Sequence, residues 1–174
     1  ENVLSKNECD LLIKTFESSS EIESIDNNGD SKFSQFNLTR NIKSTSPQTQ
    51  NLHNKLIKIV VTHRDKYYKF VDKRCFPSKH AFEQFRVNKY LTDNDDRFDT
   101  HVDVTDYESA RRFLSFFWYL NDVVEGGQTE FDDLTIQPKT GTMVLFPPLW
   151  MFPHRDHRPI SNQKYLLSTY LHYV

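Results

Sequence analysis

The chain has 174 residues, a formal net charge of −2, 37% hydrophobic and 14% aromatic residues, and only 4 glycines. This composition can bury a core and excludes a disordered chain, and the near-neutral charge gives no electrostatic case for nucleic acid or an anionic membrane surface. No apolar run approaches the ~18 residues that a bilayer span requires, and two unpatterned cysteines, Cys9 and Cys75, make no disulfide framework.

At this length one domain, 1–174, is expected. No signal-peptide pattern opens it, so a cytoplasmic protein with reduced thiols is the expectation, while a start at Glu1 rather than Met leaves room for residues upstream. Ser5-Lys6-Asn7-Glu8 reads as a capping box, followed at helical spacing by Leu11, Leu12, Thr15 and Phe16. Residues 18–32, rich in Ser, Asn, Asp and Gly, read as a loop, and 33–39 as a short strand. Ser46-Pro47 looks like an N-cap with proline in the first turn. Leu52, Leu56, Ile59, Val60, His63, Tyr67 and Phe70 then form one apolar stripe to about residue 72.

After residue 80 the hydrophobic period becomes two. Strands are expected over 82–91, 98–104, 111–121, 128–131, 134–137, 142–147, 152–157 and 163–173, separated by turns such as Glu125-Gly126-Gly127, Lys139-Thr140-Gly141 and Pro159–Asn162. Helices followed by many short strands imply an α+β chain, mainly β: a helical support over 1–75 packed outside a sandwich or barrel over 80–174. In strand 82–91 one face is polar, with Gln84, Arg86, Asn88 and Tyr90. That row faces either water or a wet pocket inside the barrel.

With 7 histidines in 174 residues, His-x-Asp is a chance-level pattern, and His63-Arg64-Asp65 carries it as well as His101-Val102-Asp103. Secondary structure separates the two. On the long helical stripe, positions two apart point about 200° away from each other, so His63 and Asp65 cannot share an ion. In a strand, positions two apart share a face, so His101 and Asp103 can. Two imidazoles and one carboxylate are the ligand set of a non-haem Fe(II) site that leaves positions open for other ligands. The second imidazole is to come from His154, His157 or His172. Lys164 opens the last strand ten positions after His154. Near a barrel interior a lysine needs an anion, and a bound dicarboxylate would supply one.

These residues carry a resemblance. Phe85-Arg86-Val87-Asn88-Lys89-Tyr90, Thr100-His101-Val102-Asp103, the run Phe117–Phe131, Pro138-Lys139-Thr140-Gly141, Leu145-Phe146, and His154 to Lys164 together resemble the 2-oxoglutarate/Fe(II)-dependent dioxygenases of the prolyl 4-hydroxylase type. The resemblance covers about residues 80–174, and Asn2–Asp10 resembles the family's entry into its first helix. It implies a double-stranded β-helix (jelly-roll) core with iron at one mouth, held by His101, Asp103 and His154. It implies Lys164 as partner of the distal carboxylate of 2-oxoglutarate, Tyr90 beside iron and cosubstrate, and the hydroxyl of Ser115 or Tyr119 as support. Arg112 and His172 become substrate-facing candidates. His172 shares strand parity with Lys164, whereas Arg112 has the wrong parity relative to Ser115 and Tyr119 unless it sits at a strand end or across a bulge.

The implied reaction hydroxylates an unactivated C–H bond, a prolyl residue of a peptide or protein first of all, with O₂ as oxidant, succinate and CO₂ released, and ascorbate supporting turnover. The same chemistry on a free amino acid, another side chain or a small metabolite is the alternative. A non-catalytic jelly-roll binding module, or a zinc hydrolase that leaves Lys164 unexplained, stands further off. The sequence departs from the family at Ser115, commonly threonine, in the acidic stretch 91–99, and at Arg155-Asp156-His157-Arg158, where a glycine commonly follows the distal histidine.

Overall fold

The computed structural model describes residues 1–28 and 30–174; Gly29, within the expected 18–32 loop, lies outside the described residues. Helix α1 (Lys6–Glu17) starts as its capping box requires: the Glu8 backbone N–H donates to the Ser5 hydroxyl, and the Ser5 N–H donates to the Glu8 carboxylate at 2.9 Å. It buries Cys9, Leu12 and Phe16, one stripe at i, i+3 and i+7. Helix α2 (Pro47–Tyr67) is capped by Ser46 and buries Thr49, Leu52, His53, Leu56 and Val60. Its apolar stripe ends sooner than expected. Beyond Tyr67 the backbone tightens into i→i+3 bonds, Lys69 to Lys66 and Phe70 to Tyr67, so the helical phase is lost and Phe70 is left 85% exposed.

The expected 18–32 loop contains a strand. β1 (Ile22–Asp26) pairs antiparallel with β2 (Ser31–Asn37), from Ile22 opposite Phe36 to Asp26 opposite Lys32. β1 is almost wholly exposed, so it carries no alternating hydrophobic signal; the pairing alone makes it a strand. The expected strand 82–91 is broken into β3 (His80–Phe82) and β4 (Arg86–Tyr90), because the Thr39 hydroxyl takes the Phe85 N–H at 2.9 Å and interrupts the ladder. β5 (Arg97–His101) ends at the histidine, short of Asp103. β6 (Arg112–Tyr119), β7 (Thr129–Phe131), β8 (Thr135–Ile136), β9 (Met143–Phe146), β10 (His154–Asp156) and β11 (Lys164–Tyr173) follow within the expected spans.

The strands join in the order β8-β7-β10-β5-β2-β4-β11-β6-β9, with β1 added to β2 and β3 to β11, all antiparallel. The sheet curls into the jelly-roll half-barrel with the two helices on its outer face. Both faces of the central strands are therefore covered, which accounts for the unbroken burial of β6 from Phe113 to Tyr119. Leu114, Phe116 and Trp118 face the helices together with Leu12, Phe16, Leu56 and Leu167. Phe117 and Tyr119 face inward with Phe33, Tyr90, Phe146 and Leu166. Each such side chain contributes about 1.5–3 kcal/mol on burial. On β11 the odd positions Tyr165, Leu167 and Leu171 join the helix-side core, so the even positions Lys164, Leu166, Ser168 and Tyr170 point into the barrel.

The N-terminal segment is pinned to the barrel at Gly141. The Val3 N–H donates to the Gly141 carbonyl at 2.8 Å, and Gly141 has a φ of +79°. A Cβ there would lie 2.0 Å from the Leu4 carbonyl oxygen, so only glycine fits.

Candidate active site

The register of β5 against β10 sets His101 directly opposite His154. Asp103 reaches them differently from the expectation. The chain leaves β5 after His101, so the carboxylate is placed by a bend rather than by strand parity. Two groups stand at that bend. The Arg112 guanidinium donates to the Asp103 carbonyl at 2.9 Å, and Tyr170, whose ring lies under that guanidinium, lines the same cavity as the Asp103 side chain.

Nε2 of His101 lies 3.7 Å and Nε2 of His154 3.9 Å from Asp103 Oδ1, and a ligand atom from each residue lies within 4.8 Å of the others. Each imidazole is bonded through Nδ1 to a backbone carbonyl, His101 to Asp99 at 2.8 Å and His154 to Phe152 at 3.1 Å. Those bonds put the proton on Nδ1 and leave the Nε2 lone pairs aimed at a common point. Phe98 stacks on the His101 ring at 3.5 Å, and Phe131 and Phe146 pack on His154. Burial holds the His154 imidazole below its ordinary pKa although Asp103 pulls the other way, so it is neutral, as a metal ligand must be. Two imidazoles and a carboxylate on one side of an open cavity fit Fe(II). The decoy pair does not converge: on α2 His63 bonds the Ile59 carbonyl and Glu1, while Asp65 pairs with Arg64.

A cavity of about 60 Å³ runs inward from the triad, lined by Tyr90, Ser115, Phe117, Leu166, Ser168 and Asp156 among others. The polar row of 82–91 thus divides. Asn88 and Tyr90 line the cavity, while Gln84 bonds Asn37 and Arg86 lies 3.6 Å from Glu83. Lys164 is 0% exposed at the inner end, with its ammonium 4.7 Å from the centre of the Tyr90 ring. Its hydrogen-bond partners are the Gly127 carbonyl at 3.1 Å and the Asp156 carboxylate at 2.6 Å. The same Asp156 oxygen accepts from the Thr129 hydroxyl at 2.6 Å, and Thr129 accepts from the Tyr119 hydroxyl at 2.7 Å. Burial opposes both charges of the pair: it draws Lys164 down, whereas for Asp156 the lysine outweighs it and holds the carboxyl below its ordinary pKa. Tyr90 and Tyr119 are pushed well up by burial and stay neutral.

Arg112 begins β6, and the pairing of β6 with β11 slips between Leu171 and His172, so Arg112 stands opposite His172. The bulge brings it to Asp103 despite its parity. Its remaining donors clamp Glu83 at 2.7 and 3.0 Å, and its guanidinium lies 4.2 Å above the Tyr170 ring. His172 Nδ1 is 3.9 Å from Glu83. The sequence assigned no role to Tyr170 or Thr129, and it showed Asp156 only as part of a departure from the family pattern. Parity with Lys164 could have found Tyr170, and parity with His154 could have found Asp156.

The sequence profile of the 2OG-Fe(II) oxygenase superfamily matches residues 85–172. The chain belongs to that superfamily. No curated protein sequence matches it, but solved structures share the oxygenase's fold. The viral collagen prolyl hydroxylase of Paramecium Bursaria Chlorella virus-1, in its 2OG complex, is 21% identical with a TM-score of 0.72, covering 100% of this chain and 94% of its own. A Pseudomonas putida prolyl-4-hydroxylase is 15% identical at TM-score 0.71, with 99% and 90% covered. A Trichoplax adhaerens prolyl hydroxylase, solved with a hypoxia inducible factor oxygen degradation domain peptide fragment, is 14% identical at 0.71, with 99% and 81% covered. Among the described residues of the oxygenase no helix is long and apolar enough to cross a membrane.

Proposed function

We propose that the chain hydroxylates a prolyl residue of a peptide or protein, using Fe(II), a 2-oxo acid cosubstrate and O₂, with succinate and CO₂ released where that acid is 2-oxoglutarate and with ascorbate as supporting reductant. The observation that carries this reading is the convergence of His101, Asp103 and His154 at the mouth of an inward cavity, on a fold shared with three prolyl hydroxylases. Bound iron supplies the oxidising chemistry with its cosubstrates. The chain's residues hold the geometry. The imidazoles present their Nε2 atoms, Asp103 presents a carboxylate, and Arg112, packed over the Tyr170 ring, holds the bend that carries it. Phe98, Phe131 and Phe146 keep water from the outer faces of the two imidazoles. The segment entering β10 exposes Trp150, Met151 and Phe152, an apolar rim that suits a peptide.

A free amino acid is the second reading. A mixed-charge cavity of about 330 Å³ beside Asp103, with Glu83, Asp106, Arg111, Arg112 and His172 in its lining, suits a small zwitterion. Incubation of the Fe(II)-loaded protein with proline-containing peptides and, separately, with free amino acids, a 2-oxo acid and ascorbate tests both. The expected result is a mass gain of one oxygen atom on a peptide. Turnover of free amino acids with all peptides unmodified selects the second reading.

A further inference from the structure

Lys164 already holds an anion from within the chain. One ammonium faces one carboxylate at 2.6 Å; the ammonium also donates to the Gly127 carbonyl, and the same carboxylate oxygen accepts from the Thr129 hydroxyl. The carboxylate belongs to Asp156, two residues after His154 on the same face of β10. Asp156 is buried and Lys164 has no exposed surface, so water does not screen them. A cosubstrate that brings a second carboxylate to this end of the cavity would set two negative charges against one positive charge in a buried place, which leaves one of them uncompensated. A cosubstrate with a neutral tail leaves the pair intact and meets Tyr90, Phe117 and Leu166, which are apolar.

We propose that Asp156 is a selectivity residue for the cosubstrate: it fills the anion subsite of Lys164 from within the chain, so the pocket takes a 2-oxo acid with an uncharged tail in preference to a 2-oxo diacid. The inference rests on the reading of the cavity as a metal-bound 2-oxo acid site. It does not alter the metal set or the class of reaction.

Binding is measured by calorimetry on the protein loaded anaerobically with Fe(II), using 2-oxoglutarate and 2-oxopentanoate, which has the same carbon chain without the distal carboxylate. In the unaltered protein 2-oxopentanoate is expected to bind at least about tenfold more tightly, and Asp156→Ala is expected to reverse the order. In that variant Lys164 loses its partner, so 2-oxoglutarate should raise the melting temperature more than 2-oxopentanoate does at the same concentration. Asp156→Asn keeps the volume and removes only the charge, and serves if the alanine variant does not fold; the comparison of the two acids on the unaltered protein needs no variant. Binding of 2-oxoglutarate to the unaltered protein as tight as, or tighter than, that of 2-oxopentanoate overturns the proposal alone, because Asp156 then yields its place. Binding of neither acid to unaltered or Asp156-substituted protein that does hold Fe(II) removes the reading of the cavity together with the proposal.

Discussion

Asp103 is the one member of the triad not fixed by a strand, and its position depends on neighbours. Arg112 donates to the Asp103 carbonyl, and Tyr170, stacked under that guanidinium, lines the cavity beside the Asp103 side chain. Groups that orient a ligand from behind typically account for tenfold to hundredfold in metal affinity. Tyr170→Phe removes one hydroxyl from a ring that still packs under Arg112. It is expected to weaken Mn(II) binding about tenfold, read by titration, with an unchanged circular dichroism spectrum. Unchanged affinity would mean that the bend is held by Arg112 alone. This residue shows where the sequence was silent. His101, Asp103, His154 and Lys164 are legible because strand parity and spacing can be counted. Parity with Lys164 turns Tyr170 inward, but on strands that otherwise read as core nothing local separates it or Thr129 from a packing residue. Asp156 is visible as a departure from the family pattern, but its partner is known only once β10 and β11 are brought together in space.

Among the elements, the helices and the later strands follow from caps, period and turns, whereas two breaks do not. β1 is an exposed edge without alternation, and the 82–91 strand is interrupted by a hydroxyl from Thr39, more than forty residues earlier in the chain. The same corner holds a test of how α2 is seated. His53 on α2 is buried against the Phe85 ring at 5.3 Å with its Nε2 3.0 Å from the Thr39 hydroxyl, and burial lowers its pKa. The unfolded chain takes up its proton near the ordinary value of about 6.5, while the folded protein resists until a lower pH. Between those two points the unfolded state binds more protons, so stability falls as pH falls; above about 6.5 the group contributes nothing either way. His53→Gln is expected to flatten the stability curve between about pH 7 and pH 5, by up to about 1.4 kcal/mol per pH unit. The slope should shrink rather than vanish, because burial also lowers His80 and His154. Urea titrations of the metal-free protein at several pH values measure it, and an unchanged slope would show that His53 protonates freely in the folded state.

Across the whole molecule the site is a fastening as well as a reaction centre. β10 pairs with β5 through His154 and His101 but shifts register before Asp156, and the third ligand lies on the connection toward β6. β6 belongs to the other side of the sheet order, where it pairs with β11 and β9. An ion held by His101, Asp103 and His154 therefore ties the β5–β10 side of the barrel to the chain that enters β6. Anything that binds only the folded state stabilises it by mass action, about 2.7 kcal/mol when the free ion is at one hundred times its dissociation constant. For a chain of this length each kcal/mol raises the melting temperature by about 2–4 °C, so saturating Mn(II) should raise it by roughly 5–10 °C without any cosubstrate. His154→Ala removes a ligand, and the rise should disappear at the same ion concentration. A rise that persists in the variant would place the ion elsewhere. No rise in the unaltered protein would mean that the three side chains, though convergent, do not close on a divalent ion, and the proposed hydroxylation would lose its metal.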